Sequence, residues 1–189
     1  MTETGVRYNV EDGVSVIALT LNSVEQLFNS LDPAPFHEKD LDADAEEYIV
    51  GAVDDFPLSE PLKLAIYLPR SVFDRTTGDG IGRAIHNYFA YAGEASGRKL
   101  RLTFREGRTT LIIGLAFLAF CFVLRGLVLT LDAGAFRQIL AEGLLISGWV
   151  AMWRPIQLFL YGWWPERHLL LVFRKLASIP VEVRPGPSA

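Results

Sequence analysis

Short apolar runs alternate with helical periodicity in the first half of the chain, and long unbroken apolar stretches occupy the second. Residues 14–21 (VSVIALTL) and 62–68 (LKLAIYL) are rich in β-branched and apolar residues and bounded by Asp12-Gly13, Pro61 and Pro69, which predicts two strands. Asn22 and Ser23 are placed to cap a short helix over 24–31, ended by Asp32-Pro33-Ala34-Pro35. Tyr48, Ile49, Ala52, Val53 and Phe56 recur at helical spacing behind a capping Asp42 or Asp44, with Glu46 and Glu47 at the positive end of the helix dipole. From about Asp79, the residues Ile81, Ile85, Tyr88, Phe89, Ala92 and Ala95 mark one face of a further helix that continues toward the apolar region. Gly93, Gly97 and Gly107 predict a bend or break in it. Near the end, Pro165 and Glu166 open a helix with Leu169, Leu170, Phe173 and Leu176 inward, and 179–184 (IPVEVR) reads as a last strand.

Residues 111–124 (LIIGLAFLAFCFVL) are uncharged and apolar, and after Arg125 the run resumes to Leu131. A helix over 109–131 measures roughly 34 Å, enough to cross a hydrocarbon core of about 30 Å. A buried helix of a soluble protein would show a polar face, and this one shows none over fourteen residues. A second crossing is expected over about 138–158, ending just past Pro155, with Trp163 and Trp164 at headgroup level. The link 132–137 is too short for a domain, so the two segments form a hairpin. Arg125 and Glu142 lie nine residues before and eight after Gly134, at nearly one depth, and an ion pair between them is expected. Gly114, Gly126, Gly143, Ser147 and Gly148 offer close helix approach without forming a continuous stripe.

A strand as short as 179–184 is stable only within a sheet, and its partners lie before the hairpin. The expected fold is an α+β (or small α/β) cytosolic domain whose three-stranded sheet comes from both chain ends, interrupted by an inserted two-helix transmembrane hairpin. Its parts are 1–108, an N-terminal cytosolic part with a helix leading to the membrane; 109–158, the hairpin; 159–184, an interfacial segment, helix and final strand; and 185–189, a disordered tail. Strand, helices and strand at the start point to a parallel pair.

Half of the 189 residues are hydrophobic and 21% are charged, which fits a chain that partly leaves water. Residues 1–100 hold 17 acidic against 8 basic side chains, whereas 101–189 hold 5 against 10. Arg101, Arg105, Arg108 and Arg154 flank the crossings, against Arg137 in the link, so the positive-inside rule puts both termini in the cytoplasm of a bacterium-like cell, at its inner membrane. The same arginines suit lipid headgroups rather than nucleic acid. The acidic stretch, with Asp40, Asp42, Asp44, Glu46 and Glu47, is expected to face a protein partner or to solvate the surface. An EF-hand started at Asp40 would need Gly at 45 and Glu at 51, where Ala45 and Gly51 stand, so no metal is expected. His37, His86 and His168 are too scattered in sequence to indicate a site.

The single cysteine, Cys121, excludes an internal disulfide, and the first thirteen residues lack a cleavable-signal pattern. Gly78, Gly80, Gly82 and Arg83 follow a strand and open a helix, a candidate phosphate turn lacking the third glycine of GxGxxG. No catalytic set or cofactor motif stands out. The expected role is a non-catalytic anchor, scaffold or accessory subunit bound to the bilayer and to a protein partner or a second copy. The alternatives are a small subunit of a transport or ion-translocating membrane complex using Arg125 and Glu142, and a cytosolic phosphate or nucleotide sensor using Gly78–Arg83.

Overall fold

The computed structural model describes residues 9–29, 39–71, 73–130 and 134–186, without the side chains of 75–77. It divides into a sheet unit, up to Ala95 and from Leu169, and a helical unit, Ser96–His168. Four strands, β1 (Asn9–Glu11), β2 (Val14–Thr20), β3 (Leu62–Leu68) and β4 (Val181–Pro185), form one mixed sheet in the order β1-β2-β3-β4. β2 pairs in parallel with β3 and β3 with β4, while β1 is antiparallel to β2. The fold is therefore α+β, with four strands rather than the expected three. The added strand arises at Asp12 and Gly13, whose φ values of 51° and 79° make the tight turn that suits a two-residue hairpin.

Helix α1 (Ala43–Asp54) starts where the Asp42 carboxylate accepts from the Asp44 N–H at 3.0 Å, satisfying one of the amides left over at a helix start. In place of the helix expected over 24–31 stands a single 3₁₀ turn, Val24–Leu27. Residues 30–38, including His37 and Glu38 and the Asp32–Pro35 break, lie outside the described residues, as does most of the 185–189 tail.

One sheet face carries Ile17, Leu64, Ile66 and Leu68 into a core closed by Ile49 and Val53 of α1 and by Ile81, Ile85 and Phe89 of α2 (Arg75–Leu129). Val172, Phe173 and Leu176 of α5 (Trp164–Leu176) complete it. Burying each such side chain is worth about 1.5–3 kcal/mol. Segments from either side of the helical unit thus share one core.

The other face has Val16 and Ala65 buried at its centre and a row of charges beside them. Arg184 donates two hydrogen bonds to Glu11, at 2.6 and 2.7 Å, and two to Glu182, at 2.6 and 3.0 Å; Lys63 bridges the same two carboxylates at 3.0 and 3.1 Å. Hydrogen bonding to Arg184, then to Lys63, holds the Glu11 carboxyl at about 2, against an ordinary value of 4.5. A carboxylate depressed by folding stabilises fully above its unfolded value, and the contribution is lost as pH falls through the folded one. The stability difference between the wild type and Glu11→Gln is therefore expected to be constant above about pH 4.5 and to shrink toward pH 2, read as urea midpoints along that range. A difference unchanged across the window contradicts the assignment.

Candidate functional site

The helical unit comprises α2 from Ser96, α3 (Gly134–Ala151), a short α4 (Trp153–Gln157), a π-helical turn (Leu158–Gly162) and the start of α5. α2 runs through Gly93, Gly97 and Gly107 without the expected break, because two of these glycines are packing positions. A Cβ at Gly93 would lie 3.6 Å from Phe173, and one at Gly107 would lie 3.2 Å from the Phe159 ring. The chain also stays helical beyond Pro155, with an interruption at Met152 and a π turn.

α2 and α3 pack antiparallel along small residues. Gly107 faces Phe159, Gly114 faces Ala151 and Met152, and Leu118 and Cys121 face Gly148. Gly107, Gly114 and Cys121 recur every seven residues and are buried, as are Ala141, Gly148 and Pro155. Such spacing keeps one stripe facing the partner helix over successive double turns. Gly126 and Gly143, also candidates for close approach, border open space.

Continued upward, this register sets Arg125 level with Glu142, yet no ion pair joins them among the described residues. Glu142 follows the buried Ala141 by one residue, about 100° around the helix, and is exposed with Oε1 accepting from Gln138 Nε2 at 3.3 Å. Arg125 is half-buried, and its Nε has no hydrogen-bond partner among the described residues. Equal depth is not enough where azimuth differs. Arg137 donates to the Leu129 carbonyl at 3.4 Å, meeting a carbonyl at the end of α2.

Outside the seam the surface is apolar. Ile112, Phe120, Val123, Ile139, Ile146 and Val150 are each more than half exposed, and only 11% and 17% of the most apolar window of each helix is buried. The hydroxyls of Thr109, Thr110 and Ser147 bond back to carbonyls one turn earlier, so they present no unsatisfied donor.

At the end of the pair away from the link, Phe104 stacks on Trp163 at 6.2 Å, Trp163 meets Trp164 edge-on, and Arg167 lies 5.5 Å over the Trp163 ring. The Trp163 indole donates to the Phe159 carbonyl at 2.9 Å. Arg101, Arg105 and Arg108 are exposed nearby in sequence. Arg154 is instead engaged by Glu106 at 2.9 Å, both largely exposed, a pairing the charge pattern did not anticipate.

In the sheet unit, the acidic residues split into two groups. Asp42 caps α1, and Glu46 accepts the Tyr88 hydroxyl at 2.6 Å; burial and this bond raise the Tyr88 hydroxyl well above its ordinary range. Asp40, Asp44 and Glu47 are exposed. Asp42 and Asp44 border an open groove of about 510 Å³ with Glu25, Thr20 and Tyr48, past the C-terminal end of β2. The described residues contain no cluster of three metal-ligating side chains.

Gly78, Gly80, Gly82 and Arg83 lie inside α2, which begins at Arg75, and the Gly78 N–H already donates to the Asp74 carbonyl at 2.9 Å. There is no phosphate turn here. The glycines serve approach to β4, since a Cβ at Gly78 would stand 3.3 Å from Val183 and one at Gly82 would stand 3.7 Å from Val181.

The chain thus joins an α+β unit with a four-stranded mixed sheet to two helices long and apolar enough to cross a membrane, Gly78–Leu129 and Gly134–Leu176. Comparison with protein-family models, curated proteins and solved structures finds no match to it.

Proposed function

We propose that this chain is a two-pass integral membrane protein of the inner (plasma) membrane, with both termini cytoplasmic. It acts as a non-catalytic anchor, scaffold or accessory subunit. The supporting observation is the helical pair itself: its outward side chains are apolar and exposed, while its hydroxyls are satisfied within the helix. Water offers such a surface no partner, whereas lipid demands both properties. The Phe104–Trp163–Trp164 group with its arginines matches an interfacial belt on one side. Pairing of β3 with β4 supports a two-pass topology, because strands before and after the hairpin must reach the same compartment. By the positive-inside rule, Arg101, Arg105, Arg108 and Arg167 support the cytoplasm as that compartment. The exposed Asp40, Asp44 and Glu47, held away from anionic lipid by their own charge, are the surface offered to a protein partner.

Single cysteines introduced in a Cys121→Ala background test this reading. Membrane-impermeant maleimide outside intact cells is expected to label Ala135→Cys, in the turn region, and to leave Glu47→Cys untouched until the membrane is opened. Labelling of Glu47→Cys from outside, or a chain that purifies monodisperse without detergent, overturns it.

A further inference from the structure

We propose that β4 is a homodimerisation strand, pairing antiparallel with β4 of a second copy about a two-fold axis at Val183. The proposal goes beyond the membrane reading, since it concerns a different surface and stands without it.

β4 is an edge of the sheet. The Leu64 N–H donates to the Pro180 carbonyl at 2.9 Å, and the Gly186 N–H donates to the Leu68 carbonyl at 2.7 Å. With the parallel register Leu64↔Val181 through Leu68↔Pro185, this parity turns Glu182 and Arg184 toward β3 through their backbones. The backbone N–H and C=O of Val181 and Val183 then point off the edge, and no hydrogen bond among the described residues uses their amides. Along that edge runs an open groove of about 970 Å³ between Asp79, Arg83 and His86 on α2 and Glu182 and Arg184 on β4. Gly78 and Gly82 let the helix sit close to the strand without filling it. An added strand would find backbone partners and room.

The side chains select the occupant. With the axis at Val183, Glu182 of each copy stands opposite Arg184 of the other, on the face that already carries the Glu11, Lys63, Glu182 and Arg184 network. The two Val183 residues exchange a pair of N–H···O bonds, and each Val181 N–H reaches a Pro185 carbonyl. Slipping the register one step either way sets Glu182 against Glu182 or Arg184 against Arg184, and like charges directly opposite are repelled. Charge alternation that ordinarily blunts an edge is here complementary to itself. Pro185, lacking an N–H, ends the ladder.

The full chain in mild detergent tests this by sedimentation and tagged capture. Wild type is expected to be dimeric, and Glu182→Lys and Arg184→Glu each to weaken self-association by about tenfold or more. The first variant carries two positive charges on the strand and the second two negative, so co-expressed under different tags they should pair with each other well above random mixing. In the Cys121→Ala background, Val183→Cys leaves every charge in place and should form an intermolecular disulfide under mild oxidation, the paired Cα atoms being about 5.5 Å apart. A wild-type monomer, random mixing of the two charge variants, or no crosslink at position 183 overturns the proposal. A chain that inserts in the membrane and stays monomeric sinks the dimer alone.

Discussion

Phe89→Ala is expected to cost the sheet unit about 3–5 kcal/mol, most of the stability of a marginal domain. The Phe89 ring is wholly buried, lies edge-on to Tyr88 at 5.3 Å and stacks on Phe173 at 5.9 Å. It joins α2, which precedes the apolar hairpin, to α5, which follows it, so truncation opens a cavity where the two chain halves meet. Neighbouring side chains that fill the hole would sit in helices already fixed by Val172 and Leu176, so collapse relieves little of the loss. The measurement needs the right probe. All four tryptophans, Trp149, Trp153, Trp163 and Trp164, lie in the helical unit, and their fluorescence would report that unit instead. Hydrogen exchange at the Leu64 and Ile66 amides is the direct readout, expected to accelerate by about two to three and a half orders of magnitude under conditions where exchange follows the opening equilibrium. Tyr91→Ala, at a position 62% exposed on the same helix, should leave those amides nearly unchanged. Equal protection in wild type and Phe89→Ala contradicts the shared core.

That shared core was partly legible in the chain. The β-branched runs at 14–21 and 62–68 and the short VEVR run are locally distinct, and a strand so short needs sheet partners from before the hairpin; which of them it joins, β3, is not written in the local pattern. β1 escaped notice because only Val10 among its three residues is apolar, although Asp12-Gly13 is itself a hairpin signal. Glycine is the residue type whose local pattern misleads most here. At Gly78 and Gly82 the local pattern resembles a turn, while the reason for both is close approach of Val181 and Val183, about a hundred residues later. Gly93 and Gly107 look like breaks for the same reason. Distance along the chain hides packing. The charged candidates show the same limit: Arg125 and Glu142 have the right depth in the hairpin, but a count along the sequence carries no statement about which way each side chain turns.

Glycine packing also sets the second large effect, in the helical pair. Gly148→Leu is expected to loosen the pair by about 1–3 kcal/mol, the range for overpacking a close contact. A Cβ at position 148 would stand 2.7 Å from Leu118 Cδ1, 3.3 Å from Cys121 Cβ and 3.5 Å from Leu118 Cα. The first atom ends a flexible side chain and can swing away; the other two belong to the α2 seam and move only if the helices separate. Leucine adds three carbons beyond that Cβ. Cys121 reports the result, because the residue is only 2% exposed and sits at the contact. Its alkylation by a membrane-permeant maleimide is expected to speed up by about ten- to a hundredfold in Gly148→Leu, the kinetic image of that free energy when opening precedes reaction. Gly143→Leu, five residues away on the same helix, borders open space and should leave the rate unchanged. If both variants alkylate alike, the seven-residue stripe of Gly107, Gly114 and Cys121 against Ala141, Gly148 and Pro155 does not hold the pair together, and the apolar surface must be closed by some other contact.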